Sequence, residues 1–439
     1  MILTVETDVL VLGGGFAGFW AALAARACGG PTLRIALVSR EPVLQLRPRL
    51  YEAHPETLAV PLAPMLRRAD VTLIEGEVTG IDVEAREVHL GKGAQDEAAS
   101  RTGEPGSRHL RYRALVVATG SRMRRPGFAG AGEAWSIDTQ AEAIAFDGRL
   151  ARIAREAPRE PCIAVVGAGF TGIELALEMR DRLAQHGGEA LAERTQLLLV
   201  DAARDPGQRI GKAAWAVIAE ALERSRVQLR LGTRVQQLQG EELLLDDGTR
   251  WRADAVVLAT GVEAAPAARW VPGKHDASGR LFVDAFLRAR GGSLPNAPEA
   301  AAAALPVWAA GDAAAADDGS GHDTVASCQH ALQTGRVAGA NAARALLGQP
   351  PVPFSARPYV TCIDLGREGA LFTHGRERAV QRHGAAAKAT KQHINRVAIH
   401  PPEHATRDEL LALALPPALR QPAGDGAPPP APASTSAGA

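Results

Sequence analysis

An α/β chain with two separate parallel sheets and a small third unit is the fold class that three features of this 439-residue sequence predict. The first is a pair of glycine-rich turns of one form. Gly13-Gly14-Gly15-Phe16-Ala17-Gly18 follows the apolar run Asp8-Val9-Leu10-Val11-Leu12, and Gly167-Ala168-Gly169-Phe170-Thr171-Gly172 follows Cys162-Ile163-Ala164-Val165-Val166. The second is what flanks each turn. An unbroken apolar run, as in a strand buried on both faces, leads into a pattern of helical period. The third is repetition. Strands at 33–38 and 197–200 follow the two helices, the latter ending in Asp201, and residues 255–261 echo 114–120. The mid-chain segment reads as a duplicate of the amino-terminal unit.

The spacing G-x-G-x-x-G at a strand-to-helix turn answers the physical needs of a dinucleotide. Gly13 and Gly167 make the tight turn, and Gly15 and Gly169 let backbone N–H groups approach a pyrophosphate. Gly18 and Gly172 let the helix pack closely on the strand, its positive end toward the phosphates. One such match is weak. Two in the same context predict two Rossmann-like dinucleotide-binding domains, and the commonest reason to hold two dinucleotides is electron transfer between them.

Composition narrows the class. Apolar residues make up 46% and charged residues 22%, as in a globular chain long enough for two or three domains. Lys+Arg and Asp+Glu number 49 each, so no net field recruits nucleic acid or an acidic membrane. Cys28, Cys162, Cys328 and Cys362 form no C-x-x-C and no close pair. A structural zinc, a disulfide framework and a dithiol centre are therefore not expected, and no metal is. The amino terminus lacks a basic segment and a cleavage site, and no run approaches ~20 uninterrupted apolar residues. The chain reads as cytoplasmic.

Between the motifs, short strands are expected at 71–75 and 78–83. The stretch 91–108, rich in Gly, Ser and charge, reads as a hairpin tip or insertion. Residues 291–304 read as a loop, 305–310 as a buried strand closing with Gly311-Asp312, and about 325–347 as a long helix. A small β-rich and helical unit is expected at 354–400. The Pro-, Ala- and Ser-rich tail from about 416 is expected to be disordered.

Seven anchors carry a resemblance to a known family. They are residues 13–18, Arg47-Pro48-Arg49-Leu50-Tyr51-Glu52, Ala118-Thr119-Gly120-Ser121, residues 167–174, Ala259-Thr260-Gly261, Gly311-Asp312 and Cys328-Gln329-His330-Ala331-Leu332-Gln333. Over roughly residues 8–350 the chain resembles the two-dinucleotide flavoprotein reductases of glutathione reductase-like fold. Within these it resembles the type II NADH dehydrogenases, which are non-proton-pumping NADH:quinone oxidoreductases. The resemblance implies an FAD domain in two parts (1–120 and 265–350), an NAD(P)H domain at 121–264, a carboxy-terminal domain at 351–415 and a tail at 416–439. It implies FAD at the amino-terminal turn and NADH, with NADPH as the alternative, at the mid-chain turn. Hydride would pass from the nicotinamide to the flavin, and electrons on to an acceptor.

The cofactor-binding residues it implies, beside the six motif glycines, are Pro48, Val78, Ala118, Thr119, Gly120, Gly261, Gly311, Asp312 and Ala331. Asp312 would orient the ribityl and phosphate region of the flavin. An acid ending the second strand of each unit usually grips the adenosine ribose. Asp201 fills that place in the mid-chain unit and would repel the 2′-phosphate of NADPH, although Arg204 lies near. The amino-terminal unit departs from the pattern. It carries Ser39, which can bond a hydroxyl, followed by Arg40 and by Glu41, which can reach round.

The catalytic residues implied are Glu174, Gln329 and Gln333. Glu174 would lie beside the nicotinamide and flavin rings. Residues 328–333 resemble the A-Q-x-A-x-Q motif that lines the family's quinone site, with Cys328 replacing the first alanine. Gln329 and Gln333, four apart, share one helix face and could present two amides to a quinone, with Ala331 beside them. Cys328 reads as a small buried residue or as a thiol beside the flavin. The carboxy-terminal part departs most from the family. Residues 385–396 are basic but weakly apolar, and 408–415 are apolar for only about two turns. Residues 359–366 read as an edge strand and turn rather than as chemistry. The expected partners are a quinone or another small acceptor, the inner face of the cell membrane through peripheral contact, and a second copy of the chain. Two rival readings are a soluble reductase of a ferredoxin- or rubredoxin-type protein and a redox-sensing flavoprotein resembling apoptosis-inducing factor.

Overall fold

The computed structural model describes residues 4–91, 108–156, 160–290 and 305–420. The expected hairpin tip or insertion, apart from its end residues Gly91 and Arg108, and the 291–304 loop lie outside them. The first apolar run is β1 (Thr4–Leu12), and Val9 to Leu12 are fully buried because layers cover both faces of its sheet. Then come α1 (Phe16–Gly29), β2 (Ile35–Ser39), β3 (Thr72–Glu75), β4 (Val78–Asp82), β5 (Glu87–Leu90) and β6 (Arg108–Val117). The strand order is β3-β2-β1-β6-β5-β4. The first four strands of that order run parallel, and β6, β5 and β4 form an antiparallel meander.

The second unit repeats this plan. It comprises β7 (Trp135–Ser136), α2 (Gln140–Glu156), β8 (Cys162–Val166), α3 (Phe170–Gly187), β9 (Gln196–Asp201), β10 (Val227–Leu231) and β11 (Ala255–Leu258). Its order is β7-β11-β8-β9-β10, all parallel. The chain then returns to the first sheet, where β12 (Val307–Ala309) pairs with the carboxy-terminal half of β6. One edge of β6 is thus shared, its first half with β5 and its second with β12.

The expected long helix is α4 (Cys328–Leu346), which lies against α1. The two backbones nearly touch. A methyl on Gly335 would sit 2.2 Å from the Ala17 carbonyl oxygen, and one on Gly339 would sit 2.0 Å from that of Ala21. The carboxy-terminal unit is a three-stranded antiparallel meander followed by helices. Its elements are β13 (Val360–Asp364), β14 (Ala370–His374), β15 (Ala379–Gly384), α5 (Ala385–His393) and α6 (Arg407–Ala414). A capping box of Thr406 and Glu409 starts α6. Within the tail expected from 416, Pro417–Leu419 form a 3₁₀ turn and Arg420 donates to the carbonyls of Leu413 and Leu415. Residues 421–439 lie outside the described residues.

No flexible side chain can yield at the α1–α4 crossing, because the obstacle is backbone. Gly339→Val should cost roughly 1–3 kcal/mol or more, seen as a lower thermal unfolding midpoint. Gly132→Ala places its methyl in open space and should leave the midpoint where it is.

Candidate functional site

The two glycine turns fold alike at their first and third motif glycines. Gly13 (φ +108°) and Gly167 (φ +112°) take left-handed backbone, and a methyl on either would lie 2.3 Å from a carbonyl oxygen, that of Ala118 or Ala259. A methyl on Gly18 would lie 1.8 Å from the Gly13 oxygen, and one on Gly172 1.9 Å from the Gly167 oxygen. Gly15 and Gly169 instead face open space and are the N-caps of α1 and α3, where no side chain caps the first turn. By contrast Ser327 caps α4 and Thr406 caps α6. Two helix ends with free N–H groups and space in front of them fit two pyrophosphates. A second observation fits the first cradle to a cofactor. The Thr119 hydroxyl beside it is buried without a hydrogen-bond partner among the described residues.

The residues expected around the first cradle converge by different routes. Ala118 is buried against Gly13, and Gly120 (φ +70°) faces open space. Gly311 (φ +64°) is wedged between Ala17 of α1 and Ala331 of α4, with its N–H on the Thr334 hydroxyl. Asp312 is held from the other side by the Ser121 hydroxyl at 2.6 Å, and Ser121 accepts from Arg47. Arg47 also pairs with Asp138, so the 47–52 motif is tied to the turn between β7 and α2 of the second unit. Pro48 sits in that motif's 3₁₀ turn, half-buried, and Val78 opens β4. Ser39 is buried under Gly14 with its hydroxyl donating to the Glu41 carbonyl at 2.5 Å, and the Glu41 carboxylate accepts from Gln45.

At the second cradle Asp201 is buried. One oxygen accepts from the Ala168 N–H inside the glycine turn (2.6 Å), and the other accepts from the Ala203 N–H (2.7 Å). Arg209, which sequence reasoning passed over, reaches both oxygens at 3.1 Å. Arg204 lies against Gly232, and Gly261 (φ +86°) faces open space.

Glu174, in the first turn beyond that cradle, is buried. Its Oε1 accepts from Lys391 Nζ at 2.7 Å and from the Asp364 N–H at 2.9 Å, and Lys391 also donates to the Cys362 carbonyl. Burial lifts Glu174 above the usual carboxylate range, and Lys391 only partly offsets this. Burial pulls Lys391 down, but the charge and hydrogen bond of Glu174, with Asp364 and Cys362, together outweigh it and the net shift is upward. Both shifts run upward, and the ion pair ties them together. Around it Lys388 bonds Asp364 at 2.5 Å, Tyr51 donates to the other Asp364 oxygen, and Asn395 reaches Tyr51 and Glu52. Three units thus meet at one buried cluster. Residues 359–366, read from the sequence as plain edge strand and turn, supply Asp364 to it. The basic segment 385–396 supplies Lys388, Lys391 and Asn395.

Gln329 and Gln333 do share a face of α4, but their amides are not free. Gln329 donates to the Pro358 carbonyl and accepts from the Val360 N–H, while Gln333 accepts from the Arg357 N–H and donates to the Gln329 carbonyl. Together they tie segment 357–360 onto the helix. His330 between them is buried and stacks on Tyr359, the ring centroids 5.1 Å apart. Cys328 is a free thiol that burial pushes up to about 11, so it is protonated at neutral pH.

Comparison with known proteins agrees with this geometry. The family described as pyridine nucleotide-disulphide oxidoreductase matches residues 7–335. An NADH dehydrogenase-like protein of Mycobacterium tuberculosis is 35% identical over 419 residues, covering 93% of this chain and 98% of the relative. A demethylphylloquinone reductase of Synechocystis is 25% identical over 378 residues, covering 83% and 86%. The structure of NDH2 from Plasmodium falciparum in complex with NADH shares the fold with a TM-score of 0.72 at 10% identity, covering 93% of this chain and 97% of that one. The chain belongs to the pyridine nucleotide-disulphide oxidoreductase family, as an NAD(P)H dehydrogenase flavoprotein that binds FAD and NAD(P)H.

Proposed function

We propose that the protein is an NAD(P)H:quinone oxidoreductase, and the observation that carries this is the buried Glu174–Lys391 pair. The balanced reaction, NAD(P)H + H⁺ + quinone → NAD(P)⁺ + quinol, draws one proton from the medium. A site for it needs a proton-holding group where the nicotinamide unit, the flavin unit and the acceptor meet. Glu174 comes from the second turn of the helix of the second cradle, Tyr51 from the first unit, and Lys391 and Asp364 from the carboxy-terminal unit. Bound FAD supplies the two-electron relay between nicotinamide and acceptor. Lys391 then holds a proton toward the acceptor, and Lys388, bonded to Asp364 and partly exposed, links the cluster to solvent.

In this reading the FAD domain is 1–120 with 265–350, the NAD(P)H domain is 121–264, and the carboxy-terminal domain 351–415 completes the acceptor site. Gln329 and Gln333 position segment 357–360 beside that site. Among the described residues no helix is long and apolar enough to cross a membrane. A peripheral contact with the cell membrane would use the exposed apolar side chains Val397 and Leu413.

The nucleotide preference follows from Asp201. Its charge disfavours a 2′-phosphate, but Arg209 already neutralises it, and the Arg209 side chain is more than half exposed. Arg209 can swing onto a 2′-phosphate, so the chain accepts NADPH beside NADH.

Three outcomes test these assignments. In an anaerobic titration NADH should bleach the yellow protein and a short-chain quinone should restore the colour promptly. Lys391→Met should slow the restoring step about 100-fold or more while the bleaching rate stays near wild type; equal loss in both steps removes the proton role. Arg209→Ala should raise the KM for NADPH about tenfold and leave that for NADH nearly unchanged, a result read from steady-state kinetics with both nucleotides.

A separate outcome concerns Glu178, one turn beyond Glu174. Burial, and then the charge of Asp364, pushes its carboxyl up to about 7. Between the ordinary carboxylate range and that value the folded chain binds the extra proton, so stability falls as pH rises through this window. Glu178→Gln should therefore stabilise the protein by roughly 1–2 kcal/mol at pH 8 and by nothing measurable at pH 4, as denaturant unfolding at the two pH values will show.

A further inference from the structure

The β4–β5–β6 meander carries three ligating side chains that neither the cofactors nor the acceptor site uses. We propose that Glu87, His89 and His109 bind a divalent first-row ion of the imidazole-preferring class, with Zn²⁺ as its representative, on the outer face of this meander. His89 of β5 stands directly opposite His109 of β6, and Glu87 lies two residues before His89, so all three project from one face. One ligand atom from each lies within 4.8 Å of those of the other two. The two imidazoles lie parallel, centroids 4.5 Å apart with 8° between their planes, and the Glu87 Oε2 is 3.5 Å from His109 Nδ1.

Two neutral imidazoles and one carboxylate are a donor set that zinc takes with a water in the fourth position. Donors around one tetrahedral zinc stand about 3.3 Å apart, a separation these side chains reach by small rotations. The neighbour across the strand from His89 on β4 is Gly80, which has no side chain to cover the site. The competitor is Arg111, opposite Glu87, whose Nε bonds the carboxylate at 2.8 Å. Its side chain is largely exposed and free to leave.

The position on β6 decides what the ion does. His109 is eight residues from Val117, about 26 Å along the strand at ~3.3 Å per residue, and the first cradle lies beyond Val117. The ion therefore staples β5 to β6 at the base of their connection, as a stabilising clip, and takes no part in electron transfer.

The test uses the full-length, FAD-loaded protein, stripped with a chelator, desalted and titrated with Zn²⁺ in a calorimeter. The wild type should bind one equivalent, and the thermal midpoint should rise with Zn²⁺. His89→Gln and His109→Gln should each weaken that site at least about tenfold, with flavin bleaching by NADH at the wild-type rate as proof of folding. Arg111→Gln frees Glu87 and should tighten the site several-fold. Wild-type Zn²⁺ affinity in either histidine variant, or a site weaker than wild type in Arg111→Gln, overturns the proposal.

Discussion

A carboxylate buried at the start of a helix must find a cation, and in this protein it finds one 217 residues downstream. Removing one partner of such a pair leaves an uncompensated charge and costs about 3–5 kcal/mol. The Glu174–Lys391 contact therefore fixes more than its own geometry. It holds α5 over the start of α3; α5 brings Lys388 onto Asp364, and the turn that follows it brings Asn395 onto Tyr51 and Glu52. The carboxy-terminal unit is thus bonded at one point to both preceding units. An acceptor site at that point has its walls set by charge satisfaction, which is stricter than apolar packing because every member needs a partner.

The duplication shows which parts of a dinucleotide cradle physics holds fixed and which it leaves free. Gly13 and Gly167, and Gly18 and Gly172, stand against carbonyl oxygens at separations that agree to within 0.1 Å between the two units. Those distances come from backbone crossing backbone, and no side chain can substitute. At the end of the second strand the units part. Asp201 spends its oxygens on the Ala168 and Ala203 N–H groups and on Arg209, while the Ser39 hydroxyl bonds the Glu41 carbonyl and packs beneath Gly14. The ribose end of each cradle is therefore adjustable in a way the pyrophosphate end is not.

This difference explains what was legible in the sequence. The two sheets could be read because each rests on local signals: an apolar run, a glycine at a forced turn, a helical period; the return at Gly311-Asp312 was legible only through the family resemblance. Lys391 could not be read that way. Its segment, 385–396, is weakly apolar and basic, with nothing to mark one of its lysines as buried, since the reason lies in Glu174. Asp364 was hidden for the same reason, in a stretch whose pattern is that of an edge strand. His89 and His109 are 20 residues apart in sequence and meet only through the β5–β6 register. Gln329 and Gln333 were legible as a pair on one helix face, but the direction of their hydrogen bonds was not. That depends on segment 357–360, whose sequence carries no periodic signal.

Those glutamines change how an acceptor must be received. Two free amides would simply offer donors to a quinone carbonyl. Here three of the four polar atoms of their two amides bond the backbone of residues 357–360. A quinone carbonyl that bonded their Nε2 donors directly would take them from the Pro358 and Gln329 carbonyls and loosen the hold of the helix on this segment. It is less costly for the glutamines to stay as they are and act through the segment they hold, with Tyr359 stacked on His330 as its anchor. In the proposed reading the contacts left for the acceptor are then the protons of the Lys391 cluster. Selectivity among acceptors would rest less on amide hydrogen bonds than on reach to a buried proton donor, a criterion that a two-proton carrier such as a quinone meets and a one-electron protein partner does not need.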